Sequence, residues 1–157
     1  MSRKALFAGS FDPVTNGHLA IIQKASQLFD EVVVAVSVNV TKKTLLTASE
    51  RVMLLEQLLE GNKKVSIITY SDELTVTVAK RIGATHLVRG VRNAQDFVYE
   101  QTLAGLNKSQ ADIETVLLLT DMEQQFISSS AVKELVHFGG DITAFVPSVV
   151  KEFLGGK

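Results

Sequence analysis

A glycine turn near the N-terminus carries side chains well suited to bind phosphate. The segment Gly9–His18 follows a short apolar run and precedes a helical pattern, so it lies where a strand passes into a helix. Ser10 offers a hydroxyl group, and Asn16 is predicted to cap the helix. His18 falls in the first helical turn, where backbone N–H groups already attract anions. We predict a phosphate site here, with the His18 imidazole as an added donor.

The same segment differs from two common nucleotide-binding patterns. It lacks the Gly-x-Gly-x-x-Gly pattern of dinucleotide sites. It also lacks the Gly-Lys-Ser/Thr sequence that completes a P-loop. The expected site is instead a glycine turn, a hydroxyl group and the start of a helix that carries a histidine.

Three further groups that favour phosphate follow other predicted strands. Lys42 and Lys43 come after the second strand, where a lysine either clamps a phosphate or is simply solvated. Arg89 and Arg92 come after the fourth strand, and guanidinium groups match the geometry of phosphate oxygens. Ser128–Ser130 begins a helix after the fifth strand, either as a plain cap or as a second anion site. Each is weak alone, but together they indicate one phosphate-binding edge.

Apolar runs alternate along the chain with segments of helical periodicity. The predicted strands are Lys4–Ala8, Glu31–Val38, Val65–Tyr70, Thr85–Val88 and Glu114–Thr120. The predicted helices are Gly17–Phe29, a helix from the Thr47–Glu50 capping box to Leu59, Thr75–Ile82, Asp96–Asn107, Ser129–Phe138, and a short last helix with Pro147 in its first turn.

This alternation predicts an α/β fold, namely a Rossmann-like, doubly wound, five-stranded parallel sheet with helices on both faces. We see no linker, repeat or low-complexity segment, so residues 1–157 are expected to form a single domain. Ligands in such sheets bind beyond the carboxyl ends of the strands. The phosphate-binding candidates all fall at that edge.

The overall composition narrows the possible partners. The chain has 157 residues, a net charge of −1 and no cysteine. The charge balance argues against a nucleic-acid partner, and the missing cysteines exclude disulfides and thiolate metal sites. No apolar stretch approaches the length needed to span a membrane, so we expect a soluble, cytoplasmic protein without a membrane partner.

The first turn also resembles the signature of a known superfamily. Gly-Ser-Phe-Asp-Pro at 9–13 followed by Thr-Asn-Gly-His at 15–18 is similar to the nucleotidylyltransferase motif. Further blocks resemble, in order, the phosphopantetheine adenylyltransferase family over nearly the whole chain. These blocks are Lys42-Lys43 with Glu50-Arg51, Val88–Arg92, Asp96–Glu100, Asn107, Phe126–Glu134, Gly140-Asp141 and Phe145–Pro147.

The resemblance implies a role for each matching residue. It implies that Ser10, Lys42, Thr75 and Arg89 bind 4'-phosphopantetheine. It also implies that a longer set of residues binds ATP, with His18 touching the phosphates and stabilising the transition state. That set is Ser10, Phe11, His18, Gly90, Val91, Arg92, Glu100, Gln124, Gln125, Phe126, Ile127, Ser128, Ser129 and Ser130.

The implied reaction moves AMP from ATP to 4'-phosphopantetheine and releases pyrophosphate, giving dephospho-coenzyme A. The nucleophile is already an anion, so positioning and charge stabilisation are expected to dominate catalysis. We predict His18, Lys42 and Arg92 as catalytic residues, with Mg²⁺ accompanying ATP and no dedicated protein metal site. The resemblance further implies a homohexamer and feedback binding of coenzyme A.

Two other functions remain open from the sequence. A related nucleotidylyltransferase would use another acceptor, such as glycerol phosphate or nicotinamide mononucleotide, and the superfamily motif does not separate these. A non-catalytic nucleotide-binding or coenzyme A-sensing domain would bind ligand without turnover. An acceptor panel that follows pyrophosphate release distinguishes all three.

Overall fold

A computed structural model describes all residues, 1–157, as one α/β unit. The strands are β1 (Lys4–Gly9), β2 (Glu31–Ser37), β3 (Val65–Tyr70), β4 (His86–Val91) and β5 (Glu114–Leu119). The helices are α1 (Asn16–Leu28), α2 (Ala48–Leu59), α3 (Thr75–Ile82), α4 (Ala94–Ala111), α5 (Ser129–His137) and α6 (Ser148–Gly155), with a short 3₁₀ turn at Met122–Gln124.

The sheet confirms the predicted doubly wound topology. Its strand order is β3-β2-β1-β4-β5, and every neighbouring pair is parallel. β1 lies at the centre, with β2 on one side and β4 on the other. The chain therefore reverses its winding direction at β1 and β4, and their carboxyl ends open a crevice that suits a ligand.

Apolar side chains from β1 and β2 fill both faces of the sheet. Phe7 and Val34 join the larger core cluster with residues of α1, α2, α5 and α6. Leu6 and Val33 join a smaller cluster with residues of α3 on the opposite face. Successive residues of a strand point to opposite faces, so an unbroken apolar run is what a doubly covered strand requires.

Two helices begin with a full capping box, which fixes their N-termini. In α2, Thr47 accepts from the Glu50 N–H while the Glu50 carboxylate accepts from the Thr47 N–H, as the sequence predicted. In α1 the cap is Thr15, so the prediction of Asn16 as the cap is wrong by one residue. Both residues are good caps, and the Thr15 hydroxyl is the one that accepts from the His18 N–H.

Several boundaries differ from the predicted ones. β4 runs on through Arg89, Gly90 and Val91, so the first arginine lies inside the strand rather than after it. A Cβ on Gly90 would lie only 3.0 Å from the Ile21 side chain, which shows why β4 and α1 approach so closely here. Pro147 caps α6 instead of lying in its first turn.

Helix α4 is unusual because it buries so little. Of its 18 residues only Glu100 is buried. Phe97, Val98, Tyr99 and Leu106 expose between 47% and 61% of their surface. None of the helices, α4 included, combines the length and hydropathy required to cross a bilayer.

Candidate active site

Two adjoining cavities lie at the carboxyl edge of the sheet. The first, here called the polar cavity, has a volume of about 350 Å³, and its lining includes His18, Arg89, Arg92, Ser128 and Ser129. The second, here called the apolar cavity, has a volume of about 490 Å³, and 9 of its 15 lining residues are hydrophobic. Ala8, Arg89 and Glu100 line both.

The His18 ring is oriented by the capping box of α1. Its Nδ1 accepts the Thr15 backbone N–H at 3.0 Å and lies 3.2 Å from the Thr15 hydroxyl. An Nδ1 that accepts a hydrogen bond leaves the ring proton on Nε2 in the neutral imidazole. His18 therefore presents a single N–H donor toward the polar cavity, which it lines.

The surroundings of His18 keep its ring neutral. The pKa of His18 is lowered to about 4, mainly by burial and additionally by the nearby charges of Arg89 and Arg92. The Phe11 ring packs edge-on against the imidazole, with the two centroids 4.9 Å apart. At pH 7 the group is therefore a hydrogen-bond donor, not a cation or a general acid held in reserve.

Arg92 is held in place by a carboxylate one helical turn away. Its Nε donates to Asp96 Oδ2 at 2.9 Å and its Nη2 to Asp96 Oδ1 at 3.3 Å, while Nη1 donates to the Ile127 carbonyl at 3.4 Å. The hydrogen bonds from Arg92 lower the pKa of Asp96. The arginine is thus fixed before any ligand arrives, at little further entropic cost.

Arg89 and Glu100 form the wall between the two cavities. Arg89 Nε and Nη2 donate to the two Glu100 oxygens at 2.9 and 2.8 Å, and Nη1 donates to the Ala8 carbonyl at 3.0 Å. Burial lowers the pKa of Arg89, but the Glu100 carboxylate raises it more, and the net shift is upward. The Glu100 side chain is only 6% exposed, so it meets a ligand mainly through the guanidinium.

Two helix N-termini leave backbone donors open toward the polar cavity. In α1 the Asn16 N–H donates to the Phe145 carbonyl and the His18 N–H to Thr15, which leaves the Gly17 N–H without a partner in the protein. In α5 the Ser128 hydroxyl caps the Ala131 N–H, and Ser129 lines the cavity. Open N–H groups at helix starts are a natural site for phosphate oxygens.

The apolar cavity has polar groups only at selected points of its wall. The hydroxyl oxygen of Thr75, at the start of α3, lies 3.2 Å from the hydroxyl oxygen of Tyr70. Asn107 and Gln110 of α4 supply side-chain amides among leucines and valines. Such a lining fits a flexible ligand with a mostly apolar backbone and a few amide or hydroxyl groups.

The structure brings together some of the predicted site residues. His18, Arg89, Gly90, Arg92, Glu100, Ile127, Ser128 and Ser129 line the polar cavity, and Thr75 and Arg89 line the apolar one. Their placement agrees with a phosphate-binding edge.

The other predicted residues lie outside both cavities. Phe11 is 1% exposed and packs against His18, and its backbone adopts the left-handed region, with φ at 50°. Lys42 is exposed on the loop between β2 and α2, and Phe126 is 65% exposed against Phe145. Ser10, Val91, Gln124, Gln125 and Ser130 also line neither cavity.

Sequence reasoning missed several residues of the site. Thr15 orients the histidine, Asp96 holds Arg92, and Tyr99 and Thr120 complete the lining of the polar cavity. The Thr15 signal was available, because Thr-x-x-His has the spacing of a capping box. The Asp96 signal was also available as an acidic residue four positions after an arginine, within the first turn of α4.

Comparison with known proteins identifies the family of this chain. The cytidylyltransferase-like family model matches residues 6–135. A phosphopantetheine adenylyltransferase of Lactobacillus johnsonii is 48% identical over 98% of this chain and 93% of its own. One from Latilactobacillus sakei is 48% identical over 99% of this chain and 94% of its own.

A solved structure supports the fold independently. The crystal structure of a Vibrio parahaemolyticus protein named as a nicotinate-nucleotide adenylyltransferase superimposes with a TM-score of 0.67. It is 17% identical and covers 98% of this chain and 99% of its own. At that identity the likeness establishes the Rossmann-like architecture and leaves the acceptor to other evidence.

Proposed function

The chain belongs to the phosphopantetheine adenylyltransferase family, and from this membership we propose how its two cavities divide the reaction. It is a nucleotidyltransferase that moves AMP from ATP to 4'-phosphopantetheine in coenzyme A synthesis. The observation that supports the division is the Arg89–Glu100 wall, with a polar cavity on one side and an apolar cavity on the other.

ATP places its phosphates in the polar cavity, and the pantetheine arm occupies the apolar cavity. The two open helix N-termini and Arg92 surround the polar cavity with donors. Thr75 and the amides of Asn107 and Gln110 suit the hydroxyl and amide groups of a pantetheine arm. Arg89 lines both cavities, so its guanidinium lies where the acceptor phosphate approaches the nucleotide.

The reaction is an in-line displacement at phosphorus. An oxygen of the acceptor phosphate forms a bond to the α-phosphorus of ATP, the bond from that phosphorus to the bridging oxygen breaks, and pyrophosphate leaves with the electron pair. No base is required, because the attacking oxygen is already ionised. His18 Nε2–H, Arg92 and the N–H groups of α1 and α5 stabilise the charge that develops in the transition state.

Lys42 supplies the remaining cation. Its side chain is exposed and forms no ion pair, in contrast to Arg89 and Arg92, whose carboxylate partners are fixed. A free ammonium on a loop beside the crevice can meet the acceptor phosphate without first breaking an internal contact. Ser10, Phe11, Val91, Gln124, Gln125, Phe126 and Ser130 stay predictions, made at their positions around the same edge.

Mg²⁺ enters with ATP. Residues 1–157 place no group of three or more His, Asp or Glu side chains where they would hold a metal ion. That phosphate oxygens and water hold the Mg²⁺ stays a prediction. When bound, the ion neutralises phosphate charge. Location in the cytoplasm stays a prediction from the sequence.

Assembly into a homohexamer and feedback by coenzyme A complete the proposal. The exposed apolar side chains of α4 support assembly, because another subunit would remove them from water. Coenzyme A contains both an adenosine and a pantetheine part, so it competes for both cavities at once. Mass measurement in solution and inhibition against each substrate test these two points.

An acceptor panel tests the proposed reaction. Purified protein is mixed with Mg²⁺ and with ATP plus 4'-phosphopantetheine, ATP plus nicotinamide mononucleotide, or CTP plus glycerol phosphate, and pyrophosphate is followed. We expect release only in the first mixture. Release with another acceptor instead would reassign the substrate, and ATP binding without release in any mixture would indicate a non-catalytic domain.

A further inference from the structure

The turn between β1 and α1 contains a buried carboxylate to which the proposed reaction assigns no role. Asp12 is only 1% exposed. Its Oδ1 accepts the Leu46 N–H at 2.7 Å, and its Oδ2 accepts the Leu45 N–H at 2.9 Å and Lys133 Nζ at 3.2 Å. Burying a charged carboxylate is costly unless such partners are present, so these three donors are needed to keep it there.

The three donors of Asp12 come from two other segments of the site. Leu45 and Leu46 belong to the loop that joins β2 to α2, and Lys42 lies on the same loop. Lys133 belongs to α5, the helix that begins beside the polar cavity. Asp12 itself is six residues before His18 along the chain. One carboxylate therefore connects three segments that carry predicted phosphate-binding residues.

A neighbouring cation braces the ends of the same two loops. Arg51 is 3% exposed, and its Nη1 donates to the Ser10 carbonyl at 2.9 Å and to the Ser37 carbonyl at 3.0 Å. Arg51 thus fixes where both loops leave the sheet, while Asp12 fixes where the second loop returns to α2. Only a short stretch of loop separates these two attachments, and its residues around Lys42 are exposed.

We propose that Asp12 is a positioning residue that holds the Lys42 loop at a fixed place relative to His18 and the start of α5. The inference rests on the proposed role of Lys42 toward the acceptor phosphate. In the variant Asp12→Asn one oxygen still accepts from Leu46, but the amide NH₂ meets the Leu45 N–H and the Lys133 ammonium, which are donors as well. Asp12 then loses two of its three donors, one from the loop and one from α5.

Trypsin cleavage after Lys42 and Lys43 measures the mobility of this loop directly. We expect Asp12→Asn to raise the cleavage rate at these two lysines about tenfold while the other sites keep their rates, since the freed backbone opens locally. The Michaelis constant for phosphopantetheine should rise by a similar factor and the dissociation constant of ATP by less than about twofold. Lys133→Met removes one attachment from a side chain that is 40% exposed, and a smaller change in the same direction is expected.

Asp141→Asn is the matched control. Asp141 also accepts a backbone N–H, that of Thr143 at 2.9 Å, but it lies in the α5–α6 connection and lines neither cavity. The control should leave cleavage at Lys42 and both substrate constants as in the parent protein. If Asp12→Asn and Lys133→Met fold and show parent cleavage rates, or if cleavage rises equally at all sites, Asp12 has no positioning role.

The proteolysis result is independent of the reaction. If the parent protein transfers no AMP, the proposed function fails while the change in loop mobility still stands. If Lys42→Ala keeps its affinity for phosphopantetheine, the role of Lys42 fails in the same way. Loop cleavage therefore tests the positioning role of Asp12, and substrate kinetics test the proposed reaction separately.

Discussion

The two cavities adjoin but differ in the kind of side chains that line them. In the polar cavity both arginines and the neutral histidine are already engaged: Asp96 holds Arg92, Glu100 holds Arg89, and Thr15 holds His18. In the apolar cavity most of the wall is leucine, valine and alanine, with few polar contacts. The polar cavity suits a charged ligand group surrounded by fixed hydrogen-bond donors, and the apolar cavity suits a flexible ligand arm.

This difference predicts which kinetic constant each region controls. Groups fixed before substrate arrives act mainly on the transition state, so changes in the polar cavity should lower turnover. An apolar wall binds the ground state and the transition state alike, so changes there should alter the Michaelis constant of the acceptor. A change in the shared wall should affect both.

The largest expected effect comes from His18. His18→Ala removes the Nε2–H donor and should lower kcat by about 10²–10³-fold, with a folded protein and little change in acceptor binding. His18→Asn is the companion variant, since its oxygen replaces the Nδ1 acceptor and keeps the capping box while the Nε2–H is lost. Steady-state kinetics on both variants should give the same loss. A kcat within a few fold of the parent value would remove His18 from the mechanism.

A smaller effect, on the kinetics of both substrates, is expected from a change in the Arg89–Glu100 wall. Glu100→Gln takes the charged partner from Arg89, so the guanidinium loses its fixed position between the cavities. We expect kcat/KM to fall about tenfold for ATP and for phosphopantetheine alike, because hydrogen bonds to charged groups contribute about 1.5–3 kcal/mol each. Kinetics with each substrate varied in turn give this result. An effect on only one substrate would show that Arg89 serves a single cavity.

An effect confined to the acceptor is expected from the apolar wall. Ala104→Leu replaces a methyl group by an isobutyl group on the face of α4 that lines the apolar cavity, and it should raise the Michaelis constant of phosphopantetheine about tenfold with kcat unchanged. Gly105→Ala is the neighbouring control, because a Cβ there meets nothing within 4 Å. It should leave both constants unchanged and raise the free energy of unfolding by about 0.5–1 kcal/mol. Equal effects on ATP would place the nucleotide in this cavity instead.

The smallest effect on turnover is expected from pH. The pKa of His18 is lowered to about 4 from 6.5, so the ring stays neutral and should add no ionisation of its own to the pH profile of kcat between about pH 8 and pH 5. The free energy of unfolding, in contrast, should depend on pH. The unfolded chain takes up a proton on this histidine below about pH 6.5 and the folded chain does not until about pH 4, so the free energy of unfolding falls as the pH falls through this window.

The comparison with His18→Asn isolates that contribution. Relative to this variant, the parent protein should lose up to about 2 kcal/mol on going from pH 7 to pH 5, and no more below pH 4, because the two pKa values of the ring set both limits. Urea unfolding at a series of pH values measures the difference. A decrease in turnover near pH 6.5 that the parent protein shows and His18→Asn lacks would show that His18 is charged in the working range.

Local sequence signals predicted most of the fold. The buried runs of β1, β2 and β3 and the capping box of α2 are set by neighbouring residues, and the structure confirms them closely. Errors arose where two signals competed or where no signal existed. Thr15 and Asn16 are both good caps, and the 3₁₀ turn at Met122–Gln124 has no capping or periodic pattern.

The site was predictable where function depends on position along a strand or helix. Residues at strand ends and helix starts, such as His18 and Ser128, lie where the parallel topology places them. The contacts of Asp12 and the burial of Phe11 were not predictable, since they depend on segments more than thirty residues away or on a left-handed backbone. Long-range contacts of that kind leave no trace in a local pattern.

The central position of β1 in the sheet affects the order in which the chain folds during synthesis. The strand made first pairs with β2 almost at once, but its other edge waits for β4, some eighty residues later. The polar cavity takes its lining from Phe7 through Ser129. A chain emerging from the ribosome is therefore unable to hold nucleotide until most of it has been synthesised. Once both halves of the sheet have met, ATP would contact segments from β1 to the start of α5, and nucleotide binding would report that these segments have folded together.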